Sequence, residues 1–339
     1  MRAIGVCYDT GFVHDGGNTT HEPFDADAVQ RDMRAIRDDL HCDAVRITGG
    51  HGPRLKQAAT LAADAGLEVW ICPFVNGVTQ DELLDLVADI AEFAERLRIQ
   101  GANVVLAVGS ELSLFVHGFF PGDEFHERAA ALRTPEGQAA MARLPERFNE
   151  FLARAAKSAR ARFNGKLTYA CLPFERVNWE PFDILATDAG YRSAALVDQY
   201  PDLMRTYAAQ GEELGKPVAV TEFGCVAYAG AADRADTGAD VLEWDEQTWT
   251  PLRLDGVYER DEAGQAAHLL EMLDILDNAG VDTAFWYCFA RPDLTYNDDP
   301  VLDLDRASGG LVKVFDSVDG AAKNWEPKLA FTALANRSR

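Results

Sequence analysis

The stretch NVVLAVGSE at positions 103–111 and the stretch PVAVTEF at positions 217–223 decide the fold. Each is a run of apolar and β-branched residues with a glutamate at or next to its end. A strand that is apolar on both faces is typical of a parallel sheet covered by helices. Six further runs of this kind are found at positions 3–9, 43–49, 68–74, 166–172, 184–189 and 283–290. The sequence therefore predicts eight strands.

Amphipathic segments with helical spacing separate most of the predicted strands. Capping signals set their limits: Thr79 followed by Glu82 predicts a capping box, and Gly66, Gly215 and Gly280 predict helix ends. The predicted helices cover positions 25–40, 53–65, 79–99, 134–163, 194–214, 261–279 and 325–336.

This alternation of strands and helices predicts the α/β class and a (β/α)8 TIM barrel. The alternative is an open doubly wound sheet, which favours a glycine-rich turn that YDTGFVHDGGN at positions 8–18 does not match. Enlarged loops follow predicted strands four, seven and eight, at positions 112–134, 224–260 and 291–322. Barrel enzymes build their sites from such loops. We expect residues 1–339 to form a single catalytic domain.

The composition of the chain limits the classes of molecule that it is expected to bind. The 339 residues include 32 basic and 55 acidic side chains, a net charge of −23 that repels nucleic acid and anionic membranes. No apolar run is long enough to span a membrane. The six cysteines form no CxxC pair and the seven histidines no HxH or HExxH motif, so we expect no metal and no cofactor. Cysteines within apolar strands and the absence of a secretory signal predict a cytoplasmic protein.

Two glutamates at strand ends suggest the chemistry. The carboxyl ends of barrel strands converge on one mouth, and Glu111 and Glu222 end the fourth and seventh strands. Two facing carboxyl groups suit glycosidic cleavage, in which one attacks the anomeric carbon and the other protonates the leaving oxygen. Arg46 would keep a neighbouring carboxylate ionised, and we expect Trp286 to form a flat floor for a sugar ring.

Other polar residues near the strand ends have smaller predicted roles. Asp9 and Asp188 are interpreted as turn caps outside the catalytic set, and Glu175 and Glu180 as substrate contacts at most. The aromatic residues at positions 228–260 either line a glycan subsite or form the small core that a long loop needs.

With these residues the chain resembles the clan A glycoside hydrolases, which are retaining (β/α)8 enzymes, over nearly its whole length. The resemblance rests on Glu111 in VGSEL, Glu222 in VTEFG, Arg46 in VRITG, Tyr191 after the sixth strand and Trp286 in FWYC. It implies that Glu111 is the acid/base and Glu222 the nucleophile. It also implies four substrate-binding positions: Arg46, Ser110, Tyr191 and Trp286.

Ser110 departs from this resemblance, because most clan members have Asn before the acid. Serine is shorter and has one hydroxyl, so we expect altered recognition of the ring position next to the anomeric carbon. The predicted function is a retaining glycoside hydrolase or transglycosylase acting on a small-molecule or oligosaccharide substrate. Two alternatives stay open: a carbohydrate-binding barrel without turnover, and a cytoplasmic tailoring enzyme that uses the same carboxylates on a small metabolite.

Overall fold

A closed barrel of eight parallel strands forms the centre of the molecule. The structure is a computed structural model that describes residues 1–317 and 323–337. The barrel strands are β1 (Ala3–Asp9), β2 (Ala44–Gly49), β3 (Glu68–Pro73), β4 (Val104–Ser110), β5 (Lys166–Cys171), β6 (Leu185–Thr187), β7 (Val218–Phe223) and β10 (Thr283–Trp286). Each pairs with the next along the barrel, and β10 pairs with β1. The predicted TIM barrel is confirmed, and the open doubly wound sheet is excluded.

Helices connect the strands and pack on the outer face of the barrel. They are α1 (Ala26–Arg34), α2 (Gly52–Asp64), α3 (Gln80–Ile99), α4 (Leu112–Phe115), α5 (Phe125–Ala131), α6 (Pro135–Arg160), α7 (Tyr200–Leu214), α8 (Glu262–Ala279) and α9 (Leu329–Arg337). Within the described ranges, none of them has the length and hydropathy needed to cross a bilayer.

Local capping chemistry sets several helix limits where the sequence predicts them. The Thr79 hydroxyl accepts from the Glu82 backbone N–H, and the Glu82 carboxylate accepts from the Thr79 N–H, so α3 has a complete capping box. Gly215 and Gly280 end α7 and α8 in the left-handed conformation. The first helix differs from its prediction, because after Arg34 it continues as a π-helical turn.

Side chains alternate between the barrel interior and its outer face, as the period of a strand requires. The interior cluster consists of Ala3, Cys7, Ala44, Trp70, Val105, Ile184, Ala186, Ala219, Phe285 and Cys288. At its centre the rings of Trp70 and Phe285 meet edge to face at 5.0 Å. This apolar layer fills the barrel below the mouth, so polar side chains at the carboxyl ends of the strands rest on a packed floor.

The enlarged loops carry secondary structure of their own. Helices α4 and α5 follow β4, and a hairpin of β8 (Leu242–Trp244) and β9 (Pro251–Leu254) follows β7. After β10, strand β11 (Val312–Val314) pairs with β12 (Trp325–Pro327). The predicted helix at positions 325–336 therefore begins later, at α9. Positions 318–322 of the predicted loop 291–322 lie outside the described residues.

A buried ionic cluster joins the loops after β7 and β10. Arg260 donates to both carboxylate oxygens of Asp303 at 2.8 Å and to Asp305 at 2.7 Å. Lys328, just before α9, lies 2.8 Å from the other oxygen of Asp305, and both side chains are fully buried. A separate apolar cluster, which includes Tyr228, fills the loop after β7. Tyr228 thus belongs to a loop core, one of the two predicted roles.

We predict that Lys328→Met destabilises the fold by about 3 kcal/mol, because it removes one of the two cations that neutralise the fully buried Asp305 carboxylate. Lys56→Met is the matched control, since Lys56 pairs with Asp89 where both side chains are partly exposed. That change should cost less than about 1 kcal/mol. Urea unfolding monitored by circular dichroism measures both free energies, and equal losses would contradict the role of the cluster.

Candidate active site

Arg46 lies at the centre of the site, fully buried in the middle of β2. Its side chain points into the barrel, where water cannot solvate a charge, so it needs protein partners. The guanidinium donates from Nη1 to Glu222 Oε1 at 2.5 Å and from Nη2 to Ser110 Oγ at 2.9 Å. The structure therefore brings together three of the predicted site residues, from β2, β4 and β7.

Asp188 extends this contact to a fourth strand. Ser110 Oγ donates to Asp188 Oδ2 at 2.7 Å, so the serine hydroxyl accepts from Arg46 and donates to Asp188. Asp188 is buried at the end of β6 and is part of the site, not a turn cap outside it. The rule that selected the two glutamates also applies to it, because it too follows an apolar strand. Asp9, interpreted as a cap, does accept from the backbone N–H of Gly11.

Glu111 follows β4 in an unusual backbone conformation. Its φ of 51° and ψ of 31° lie in the left-handed region, which is uncommon for residues other than glycine. A register irregularity between Ala107 and Ser110 precedes it, and its N–H bonds to the Ala170 carbonyl oxygen on β5 at 3.1 Å. Backbone strain of this kind clusters at functional sites.

The pKa of the Glu111 carboxyl is raised well above its ordinary value. Burial is the main cause, and the negative charges of Asp188 and Glu222 add to it because they disfavour a further negative charge nearby. Arg46 opposes this shift more weakly. Glu111 therefore tends to keep its proton near neutral pH.

The pKa of Glu222 is set by a different combination of effects. Burial and the Asp188 charge raise its pKa to about 7, while the Arg46 guanidinium and a hydrogen bond from Tyr191 act in the opposite direction. Tyr191 Oη donates to Glu222 Oε2 over a long 3.5 Å, so Oε2 is held less tightly than Oε1. Gly190 permits this arrangement, because a Cβ there would lie 1.9 Å from the Glu222 carbonyl oxygen.

Trp286 does not face the mouth, contrary to the prediction that it forms a floor for a sugar ring. It is 1% exposed, packs edge to face on Phe223 on the outer side of the barrel, and donates from Nε1 to the Gly309 carbonyl oxygen at 2.8 Å. Alternation along the strand explains this orientation, because Phe285 points inward and its successor must point outward. Tyr287 packs against the interior cluster instead, and the Glu222 charge contributes to its raised pKa after burial and other neighbours.

Glu175 is not a substrate contact but a buried support beneath the loop after β4. Its carboxylate accepts from Tyr169 Oη at 2.8 and 2.9 Å and from the backbone N–H groups of Leu172 and Ser113. Burial raises its pKa to about 7, against the effect of these hydrogen bonds. Glu180, the other candidate contact, is exposed.

A group of three potential metal ligands lies apart from these residues. Asp15, in the loop after β1, and Glu124 and His126, at the start of α5, place one ligand atom each within 4.8 Å of one another. Glu124 and His126 are exposed, and the Asp15 oxygens already accept from Asn76 and from the Phe125 N–H. These contacts satisfy Asp15 within the protein, so the group gives no support for a metal centre.

No protein-family model and no curated protein matches the chain. Among solved structures, a GH113 β-1,4-mannanase has a TM-score of 0.61 at 14% identity, over 100% of this chain and 99% of that one. The GH113 β-mannanase from Alicyclobacillus acidocaldarius, in complex with ManMIm, scores 0.60 at 16% identity, with 100% and 97% covered. A GH5_18 protein from Streptomyces cattleya, in complex with Manb1-4GlcNAc, scores 0.58 at 14% identity, with 100% and 80% covered. These structural neighbours are clan A glycoside hydrolases, and the barrel fold is what the chain shares with them.

We predict that Asp188→Asn lowers the pKa of Glu222 by about 1, because it removes a nearby negative charge and leaves Arg46 in place. The asparagine amide keeps an oxygen that can accept from Ser110, so the geometry should survive. Titration of glutamate carboxyl carbons by NMR measures the pKa. Asp183→Asn, in the turn before β6 at the other end of the barrel, is the control and should leave Glu222 unchanged. A Glu222 pKa that stays near 7 in Asp188→Asn would contradict this electrostatic role.

Proposed function

We propose that the protein is a retaining glycoside hydrolase, with Glu222 as nucleophile and Glu111 as general acid/base. One observation carries the proposal: two buried glutamates at the ends of β4 and β7 differ in their contact with one cation. Arg46 binds Glu222 at 2.5 Å, whereas burial and neighbouring carboxylates dominate the pKa of Glu111 and raise it. Environments that separate two carboxyl groups in this way identify which of them is the acid and which the nucleophile.

In the first step the Glu222 carboxylate attacks the anomeric carbon. Oε2 is the reacting oxygen, since Oε1 accepts the strong bond from Arg46. The bond from the anomeric carbon to the leaving oxygen breaks, and that oxygen takes the proton of Glu111. The products of this step are the free alcohol, a glycosyl ester on Glu222 and an ionised Glu111.

In the second step Glu111 acts as the base. It removes a proton from water, and the water oxygen attacks the anomeric carbon while the ester bond to Glu222 breaks. The sugar leaves with its original anomeric configuration, and both glutamates return to their starting states. An alcohol in place of water gives transglycosylation by the same two steps, and the scheme uses no cofactor.

The chain from Asp188 through Ser110 to Arg46 positions the nucleophile. Because the Ser110 hydroxyl already donates to Asp188, it has no second proton to give to a substrate hydroxyl. This supports the expectation that the ring position next to the anomeric carbon is recognised differently here. Either a water fills the gap at Ser110 or the substrate has no ordinary 2-hydroxyl there. In the second case a 2-deoxy glycoside should lose little rate relative to its parent.

The proposed substrate is a glycoside, either of a small alcohol or within an oligosaccharide. Two neighbours with the same barrel were solved with carbohydrate ligands, ManMIm and Manb1-4GlcNAc, so β-mannosides are the first sugars to test. We also propose a cytoplasmic location, because all six cysteines are buried and unpaired, as is usual in a reducing compartment.

We predict that Glu222→Ala lowers kcat/KM on aryl glycosides by about 10⁴-fold or more, since it removes the nucleophile. Glu111→Ala should lose much less on substrates with good leaving groups, and added azide should yield a glycosyl azide of retained configuration. Glu180→Ala is the control, because Glu180 is exposed and its backbone bonds to Lys216, just before the amino end of β7 and away from the mouth. Anomeric NMR of the first product measures the stereochemistry. Inversion would overturn the mechanism, and a wild-type protein that cleaves no glycoside would overturn the hydrolase assignment.

We predict a bell-shaped pH profile of kcat/KM with its acidic limb near pH 7. Activity requires an ionised Glu222, whose pKa is raised to about 7, so the rate should rise as the pH increases through that value. It should fall again at higher pH when Glu111 loses its proton. Initial rates between pH 5 and 10 measure the profile. A constant rate between pH 5 and 7 would contradict the assigned nucleophile.

A further inference from the structure

A groove opens beside the site, with a volume of about 640 Å³. Two residues of the site, Asp188 and Tyr191, form part of its lining, so the groove is continuous with the catalytic centre. Its other walls include Leu172 and Pro173 after β5. Leu196, in the turn before α7, and Leu203, in the first turn of α7, also line it. A volume of this size accommodates a small molecule.

The groove presents aliphatic surface to solvent. Leu196 is 41% exposed and Leu203 is 39% exposed, and they lie seven residues apart along one stretch of chain. Exposed large apolar side chains that gather at one place mark a binding surface, whereas scattered ones need no explanation. The charged side chains that line the groove, Asp233 and Arg234 besides Asp188, include both signs, so the rim does not select strongly for a charged ligand.

The groove borders the strand next to the acid. Glu111 bonds through its N–H to Ala170 on β5, and Leu172, in the groove wall, follows the last residue of that strand. Tyr191, which bonds to Glu222, lines the groove as well. With the sugar ring over Glu222, a leaving group that takes its proton from Glu111 can therefore enter the groove along Leu172.

The hydroxyl groups of the two tyrosines in the lining are already engaged, and the polar side chains that remain are Ser193, Asp233, Arg234 and Thr237. Tyr200 is 1% exposed and donates to the Ala189 carbonyl oxygen at 3.2 Å, and Tyr191 bonds to Glu222. Branched aliphatic side chains instead favour hydrocarbon, by burial of apolar surface.

We infer that this groove binds an apolar aglycone, so that the preferred substrate is a glycoside of an alkyl alcohol. That the bound group is the leaving part of a glycoside rests on the proposed function. Its binding in the groove does not require turnover. We expect that affinity at this surface grows with the length of a hydrocarbon chain until the groove is filled.

The test uses n-alcohols from butanol to octanol, which carry the hydrocarbon and no sugar, titrated against the whole protein by calorimetry. Affinity should rise by up to about fourfold per methylene. Leu203→Gln and, separately, Leu196→Gln should flatten this dependence. Leu214→Gln is the matched control, since Leu214 is also exposed on α7 but does not line the groove. Equal affinity for all alcohols, or an equal effect of Leu214→Gln, would overturn the inference.

A kinetic arm separates this inference from the hydrolase proposal. Methyl, butyl and octyl glycosides of the accepted sugar should show kcat/KM that increases with chain length in wild type. In Leu203→Gln the methyl glycoside should keep its rate while the octyl glycoside loses its advantage. If alcohols bind with the expected dependence but no glycoside is cleaved, the hydrolase proposal fails and the groove remains. If glycosides are cleaved without any dependence on chain length, the groove assignment fails alone.

Discussion

The guanidinium of Arg46, enclosed in the barrel, is the interaction on which the site depends. A buried cation must be neutralised, and its neighbours come from strands that are far apart in sequence: β4, β6 and β7. Arg46 thereby connects Glu222 to Ser110 and, through it, to Asp188, and limits how far any of them can move. It also decides how negative charge is distributed, because it lies against one glutamate and leaves the other among carboxylates.

The alternation of side chains along each β-strand determines where the remaining side chains lie. Inward positions form the apolar floor and, one level higher, the polar groups of the mouth, while outward positions pack on helices. Neighbouring residues therefore have unrelated roles, as Trp286 and Tyr287 illustrate at the end of β10. The motif FWYC contains three aromatic residues, and the sequence alone does not show which of them faces the site.

The sequence was sufficient for the strand order, most helix limits and the positions of Glu111, Glu222 and Arg46, because these depend on local apolar runs and short-range capping. It was insufficient where a contact between residues far apart in the sequence determines the role of a side chain or the limits of an element. Asp188 bonds to Ser110 across 78 positions, so its side chain could not be distinguished from a turn cap. Trp325 pairs with the strand at Val312–Val314, and this long-range pairing overrides the helical pattern that began there. The orientation of Trp286 depends on which residues of β10 face the interior, and a run with aromatic residues at successive positions does not reveal this.

The raised pKa values of Glu111 and Glu222 mean that the proton is a stabilising ligand of the folded chain. Each carboxyl group binds its proton more tightly in the barrel than in the unfolded chain, where the ordinary value is 4.5. By linkage, the part of the stability due to Glu222 is complete below that value and is lost as the pH rises through about 7. In the proposed mechanism the same ionisation creates the nucleophile. The reactive state is then reached only when the folded chain gives up the stability that the Glu222 proton provides.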